Sequence, residues 1–223
     1  MSSTASPSQI PAQFIAIYDE LRSEITWLHG RWLTYRELFA ESPKRIELLN
    51  ETAGTFFYII QEVLLDEVQV CLSKLTDPAS SGKHDNLSLE QLQSQLHQHG
   101  DPALTAKCRL LLDKIHSQCQ VFRVRRHKTL AHLDLPTAMK QLPQPLPGVS
   151  RQMIEDALET VRDYMNAIEA NYNDSEWGYA HFILNHGSAA LLATLRAGLR
   201  YEELIQERAL PFDDWRKGKW SDA

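Results

Sequence analysis

Apolar residues recur in alternating steps of four and three along most of the chain. That pattern leaves little to fold into except a bundle of long helices. Phe14, Tyr18, Leu21, Ile25, Leu28, Trp32, Tyr35 and Phe39 form one such seam, with Asp19, Glu20, Glu24 and Glu37 off it. Ser42-Pro43 reads as an N-cap followed by proline at the first helical position. A second seam then runs through Ile46, Leu49, Ala53, Phe56, Ile60 and Val63, continues through Leu64, Val68, Cys71 and Leu75, and stops at Thr76-Asp77-Pro78. A polar loop over 77–88 leads to Ser88 and Gln91, a capping box for a short helix around Leu89, Leu92 and Leu96. After the break at Gly100-Asp101-Pro102, Leu104, Cys108, Leu111, Ile115 and Phe122 mark a third long helix. It runs into Arg125-Arg126-His127-Lys128 and ends before Pro136. Residues 133–148 hold four of the ten prolines and read as a loop. Ser150 caps the fourth long helix, whose seam is Ile154, Leu158, Val161, Met165, Ile168 and Tyr172.

Four narrow seams predict an all-α fold: an antiparallel four-helix bundle with an inserted short helix and a C-terminal helical extension. The expected organisation is a flexible N-terminus over 1–12 and the bundle over 13–172, with 77–101 as its loop and short-helix insertion. Residues 173–223 are expected to pack on the bundle as an extension, with 174–187 irregular or strand-like and a last helix around Leu191, Leu195 and Leu199. A chain of 223 residues buries roughly 70% of its extended surface and needs no covalent staples. Cys71, Cys108 and Cys119 form no CxxC pair and fall in helical patterns, which suits buried thiols in a reducing compartment. The first residues lack a basic-then-apolar leader, and the longest purely apolar run, Phe56 to Ile60, is far too short to span a bilayer. A cytoplasmic location is expected by elimination.

Several chemistries have no motif here: there is no phosphate-binding GxxxxGK[ST], no GxGxxG, no HExxH and no GxSxG. A di-metal carboxylate bundle needs two Glu-x-x-His pairs, and the nearest approach is a single Asp113-x-x-His116. Neither a metal nor a cofactor is expected. The net charge of −6 argues against a generally basic nucleic-acid binder, but it hides a local reversal. From Lys107 to Lys128 there are seven Lys or Arg against one acid, a window of +6 that leaves −12 for the rest. Such a strip is an electrostatic footprint for a polyanion. Cations in the last turns of a helix also complement its dipole, so charge alone fits both readings equally. Inside the strip, Arg126 is followed by His132 after five residues. Arg126 lies four residues after Phe122 and continues the inward seam, where a guanidinium demands a partner and an anionic ligand is one solution. Arg125 and His132, seven apart, share a face if the helix persists that far, so either arginine can be the one that works with the histidine.

The stretch RHKTLAHLD, from Arg126 to Asp134, resembles the motif of HEPN proteins (higher eukaryotes and prokaryotes nucleotide-binding), in particular their abortive-infection AbiU-like branch. In that branch it commonly reads like RNKxxAH with an acid close behind, and Arg126, Lys128, Ala131, His132 and Asp134 match. His127 stands where the family usually has Asn. LLNETAGTFF (Leu48 to Phe57), LSKLTDP (Leu72 to Pro78) and NLSL (Asn86 to Leu89) are similar to the same branch, so the resemblance covers roughly residues 14–172. It implies a homodimer and metal-independent cleavage of RNA, acting in phage defence or as a toxin, with an antitoxin or other defence-system partner possible. Arg126 and His132 would be catalytic, and Arg123, Arg125, His127 and Lys128 would bind RNA. The alternative is a non-catalytic HEPN module that dimerises and binds RNA, a nucleotide or a protein. The plainest reading is a helical bundle whose basic strip only caps a helix.

Overall fold

A computed structural model describes residues 9–131, 134–141, 144–181 and 185–211. Its long helices are α1 (Ile15–Phe39), α2 (Pro43–Leu75), α4 (Pro102–Arg125), α6 (Arg151–Asn173) and α7 (Ser188–Gln206). The shorter α3 (Leu89–His99) precedes α4, and the four-residue α5 (Leu135–Ala138) follows it. Among the described residues the only sheet is the two-residue hairpin of β1 (Ser80–Ser81) and β2 (His84–Asp85), turning at Gly82 with φ +64°. The fold is an all-α helical bundle.

The starts of these helices follow from their caps. Ser88, Asp101 and Ser150 each accept a hydrogen bond from the backbone N–H three residues on, at 3.3, 2.9 and 3.2 Å. Pro102 occupies the first turn of α4, where no N–H is needed. Gly100 permits the tight α3–α4 junction, because a Cβ there would lie 2.6 Å from the Leu96 carbonyl oxygen.

Two compact units divide the chain: Met1–Trp32 with Val63–Ile183, and Leu33–Glu62 with Leu184–Ala223. Within the first, cross-helix bonds fix the directions. Tyr18 donates to Glu169 at 2.5 Å and Trp32 to Glu155 at 2.8 Å, so α1 runs antiparallel to α6. α4 is antiparallel to α6 as well, since Gln118 donates to the Asp156 carbonyl and the Asp101 N–H to the Tyr172 hydroxyl. The core is the expected one for α1 and α6, from Phe14 through Tyr35 and from Ile154 through Ile168. Each fully buried aliphatic or aromatic side chain of this kind contributes about 1.5–3 kcal/mol. In α4 the seam passes through Leu112 rather than Leu111. Glu169 also accepts from Asn173 and Ser175. Burial works to raise its pKa, but these bonds and the one from Tyr18 bring it below the usual range.

In the second unit Leu38, Leu49, Phe57 and Leu192 form a small cluster, with Phe39, Leu48 and Leu195 against it. Here the seam of α2 departs from expectation. Ala53 is non-helical (φ −158°, ψ 60°), and past it Phe57 is buried while Phe56 is 56% exposed. The shift is local: Val63 is also exposed, while further on Val68 and Leu75 are buried as expected. α7 likewise buries Leu192 and leaves Leu191 exposed.

The segment expected to be irregular or strand-like contains a short 3-10 turn at Tyr179–His181. All three cysteines are unpaired, and burial pushes Cys71 up to about 11 and Cys108 and Cys119 to about 12. They are neutral thiols at ordinary pH. Among the described residues no helix is long and apolar enough to cross a membrane.

Candidate functional site

The basic strip ends where α4 changes its winding. After Arg125 the chain enters a π-helical turn, Arg126–Leu130, closed by a bond of 2.8 Å from the Ala131 N–H to the Arg126 carbonyl. Thr129 Oγ1 donates to the Arg125 carbonyl at 2.9 Å, the acceptor that an α-helix offers to the Thr129 N–H. That competition favours the wider turn. Single π turns are frequent at functional sites. The α-helical spacing therefore does not extend through the motif, and the argument that seats Arg125 and His132 on one face loses its premise. His132 itself lies outside the described residues.

The arginines are held by the last turns of α2. Arg126 donates through Nη1 to Ser73 Oγ (3.2 Å) and to both Asp77 oxygens (3.0 and 2.9 Å). Its Nη2 and Nε have no hydrogen-bond partner among the described residues, so the bonds found there anchor the guanidinium through Nη1. Arg123 donates to the Thr76 carbonyl and, at 3.1 Å, to Thr76 Oγ1, and lies 3.7 Å from Asp77. Asp77 thus engages two arginines but balances the charge of only one. Arg125 is held apart from them, its Nε donating to Gln69 at 2.9 Å. Burial raises the pKa of Asp66, and the charge of Arg125 offsets part of that shift. Gln69 and Ser73 lie one turn apart on a face of α2, and Asp77 follows in the turn just past its end.

The strip's remaining cation and histidine behave differently. Lys128 pairs with Asp134 at 2.9 Å, and Asp134 caps α5 by accepting from the Thr137 N–H and hydroxyl. Those bonds, with Thr137's hydroxyl first and Lys128 next, hold the Asp134 carboxyl below the usual range. His127 is exposed. The structure thus joins Arg123 and Arg126 at one carboxylate and keeps Arg125 and Lys128 on separate partners. Among the described residues no three His, Cys, Asp or Glu side chains converge as a metal-binding group.

Sequence reasoning saw an anion-seeking arginine at position 126 but missed that the chain supplies the anion. The available signal was Gln69 and Ser73, polar residues on an otherwise apolar helix, with Asp77 just beyond its end. Arg126 and Asp77 have side chains 24% and 21% exposed, so their pairing is only partly screened. Asp77→Ala is expected to cost about 1–2 kcal/mol by leaving two cations facing each other. For a chain this size that lowers Tm by about 3–6 °C. Thermal melts of Asp77→Ala and Asp77→Asn, with Asn losing less, check this.

A helical bundle whose sequence carries an Arg–His motif just past the last residue of a long helix points to the HEPN class. A family model described as AbiU2, within the HEPN grouping, matches residues 11–191, and the chain belongs to that family. No curated protein and no solved structure matches it.

Proposed function

We propose that this chain is a metal-independent endoribonuclease of abortive infection or toxin type, acting against phage as a homodimer. The observation that carries the reading is the anchored Arg126. Fixed through Nη1 by Ser73 and Asp77, it keeps its Nη2–Nε edge for two phosphate oxygens. His132, a residue whose ordinary pKa lies near neutrality, moves the proton. The ribose 2′-oxygen attacks the adjacent phosphorus and loses its proton to a base. The bond from phosphorus to the 5′-oxygen breaks, and that oxygen gains a proton. The products are a 2′,3′-cyclic phosphate and a 5′-hydroxyl. Charge developing on the phosphate is stabilised by Arg126. A dimer that brings two motifs together supplies one histidine as base and the other as acid.

Arg125 and His127 are the flanking RNA contacts least engaged by the protein. Arg123 and Lys128 contribute while bonded to Thr76 and Asp134. The test is cleavage of single-stranded RNA in EDTA by wild type and His132→Ala. One observation favours the non-catalytic alternative: Asp77 already engages both Arg123 and Arg126. That alternative predicts salt-sensitive RNA binding with no cyclic-phosphate product.

A further inference from the structure

Arg109, Asp113, His116, Gln120 and Arg123 follow one another along α4 in steps of four and three, forming a polar stripe that leads toward the motif. Around Gln120 and Arg123 the stripe borders an open groove of about 510 Å³, walled by Pro78 and Ala79 and by Glu90 of α3. That volume is in the range of small-molecule sites. Its charges are already answered. Glu90 accepts from His116 Nε2 at 2.8 Å and from Arg109 at 3.3 Å, while Arg123 is bonded to Thr76. Glu90 and Arg123 carry opposite charges, so the lining is not a one-signed basic surface of the kind that selects a polyanion.

What remains uncommitted is a set of directional hydrogen-bonding groups. Gln120 is exposed, with no hydrogen bond among the described residues, and offers an amide donor and acceptor. His116 has its second ring nitrogen, and Pro78 and Ala79 give an apolar wall. Such a combination suits the edge and face of a heterocyclic base. Arg123 links the groove to the motif, because it shares Asp77 with Arg126. Gln120 precedes Arg126 by six residues, about 9 Å along the helix.

We infer that this groove is a nucleotide subsite, taking the base and ribose next to the phosphate held by Arg126, with Gln120 and His116 reading the base. The inference rests on the RNA reading above. It is tested with the full chain and 2′-O-methyl tetranucleotides of each base, which bind but have no free 2′-hydroxyl to attack, by fluorescence anisotropy. Wild type is expected to prefer one base. Gln120→Ala, an exposed change, is expected to weaken that oligonucleotide about five- to tenfold and to flatten the preference. Ala79→Trp, filling the groove, is expected to do the same. Equal binding of all four by wild type, no binding at all, or an unchanged profile in both variants overturns the subsite. If any of these results accompanies wild-type cleavage of RNA, the subsite falls and the endoribonuclease reading stands. Base-selective binding lost in Gln120→Ala, with no cleavage by wild type, leaves the subsite standing and removes the catalytic reading.

Discussion

His132→Ala is expected to lower RNA cleavage by about 10²–10⁴-fold, the usual worth of a positioned general acid or base. EDTA is expected to leave the wild-type rate unchanged. Arg126→Ala should lose about 10²–10³-fold, the typical loss when one donor to a developing oxyanion is removed. Arg126→Lys should recover little, since an ammonium cannot be anchored by Asp77 through one nitrogen while presenting a second pair of donors. The two losses should not add in the double variant if the pair acts as a unit. Arg125→Ala is the discriminating control between the neighbouring arginines. Arg125 is tied to Gln69 through Nε, and its loss should cost less than that of Arg126. Single-turnover cleavage of one labelled RNA by wild type and the five variants measures all of this. Wild-type-level cleavage by His132→Ala contradicts the assignment.

The second large effect concerns stability and acid. His29 is buried in α1, bonded to the Ile25 carbonyl at 2.8 Å, with Arg162 of α6 at 3.4 Å and the Tyr179 ring tilted against it, centroids 5.6 Å apart. Burial, joined by the Arg162 charge and opposed by the Ile25 bond, lowers its pKa from 6.5 to about 4. The unfolded chain therefore binds a proton that the folded chain refuses between those values. The stability tied to neutral His29 is complete above pH 6.5 and is lost as pH falls toward 4, by about 3 kcal/mol. For a chain of this length that corresponds to about 6–12 °C in Tm. Carboxylates titrate in the same range, so the comparison is with His29→Gln, which keeps polar contacts but cannot titrate. The variant's acid slope should be shallower by that amount between pH 6.5 and 4. Parallel melting curves for the two proteins would show that His29 does not titrate differently on folding.

How much of this was legible in the chain depends on the kind of information each element needed. α1 and α6 were readable because their seams are unbroken and their off-seam positions polar. α4 misled by one residue because Leu110, Leu111 and Leu112 are consecutive, and periodicity cannot phase a uniform apolar run. The break at Ala53 carried no signal of its own: alanine is the best helix former, and only the adjacent Gly54 hinted at weakness. The π turn was hidden for a similar reason, since RHKTL fits an α-helix as well as a wider one. At the site, the Arg–His spacing was visible and Asp77 was not, because a partner 49 residues away is a property of the packed bundle. LSKLTDP and RHKTLAH read as two separate resemblances. In the fold, Ser73 and Asp77 of the first hold Arg126 of the second, so the strings are halves of one arrangement.

The arrangement also explains how an acidic chain can present a cationic site. Glu90 and Asp113 engage Arg109, Asp77 engages two arginines, and Asp134 engages Lys128. Much of the +6 window is therefore compensated in place. What it retains is positional: guanidinium edges fixed by carboxylates and a glutamine rather than a diffuse basic surface. Binding that depends on a few fixed donors selects for geometry more than for charge.

The most direct measurement is the chemistry of the RNA ends left by the wild-type protein in EDTA. Mass spectrometry of a cleaved oligoribonucleotide should show a 2′,3′-cyclic phosphate on the upstream fragment and a 5′-hydroxyl on the downstream one. An intact oligonucleotide, or fragments ending in 3′-hydroxyl and 5′-phosphate, would contradict 2′-hydroxyl attack at the Arg126–His132 motif.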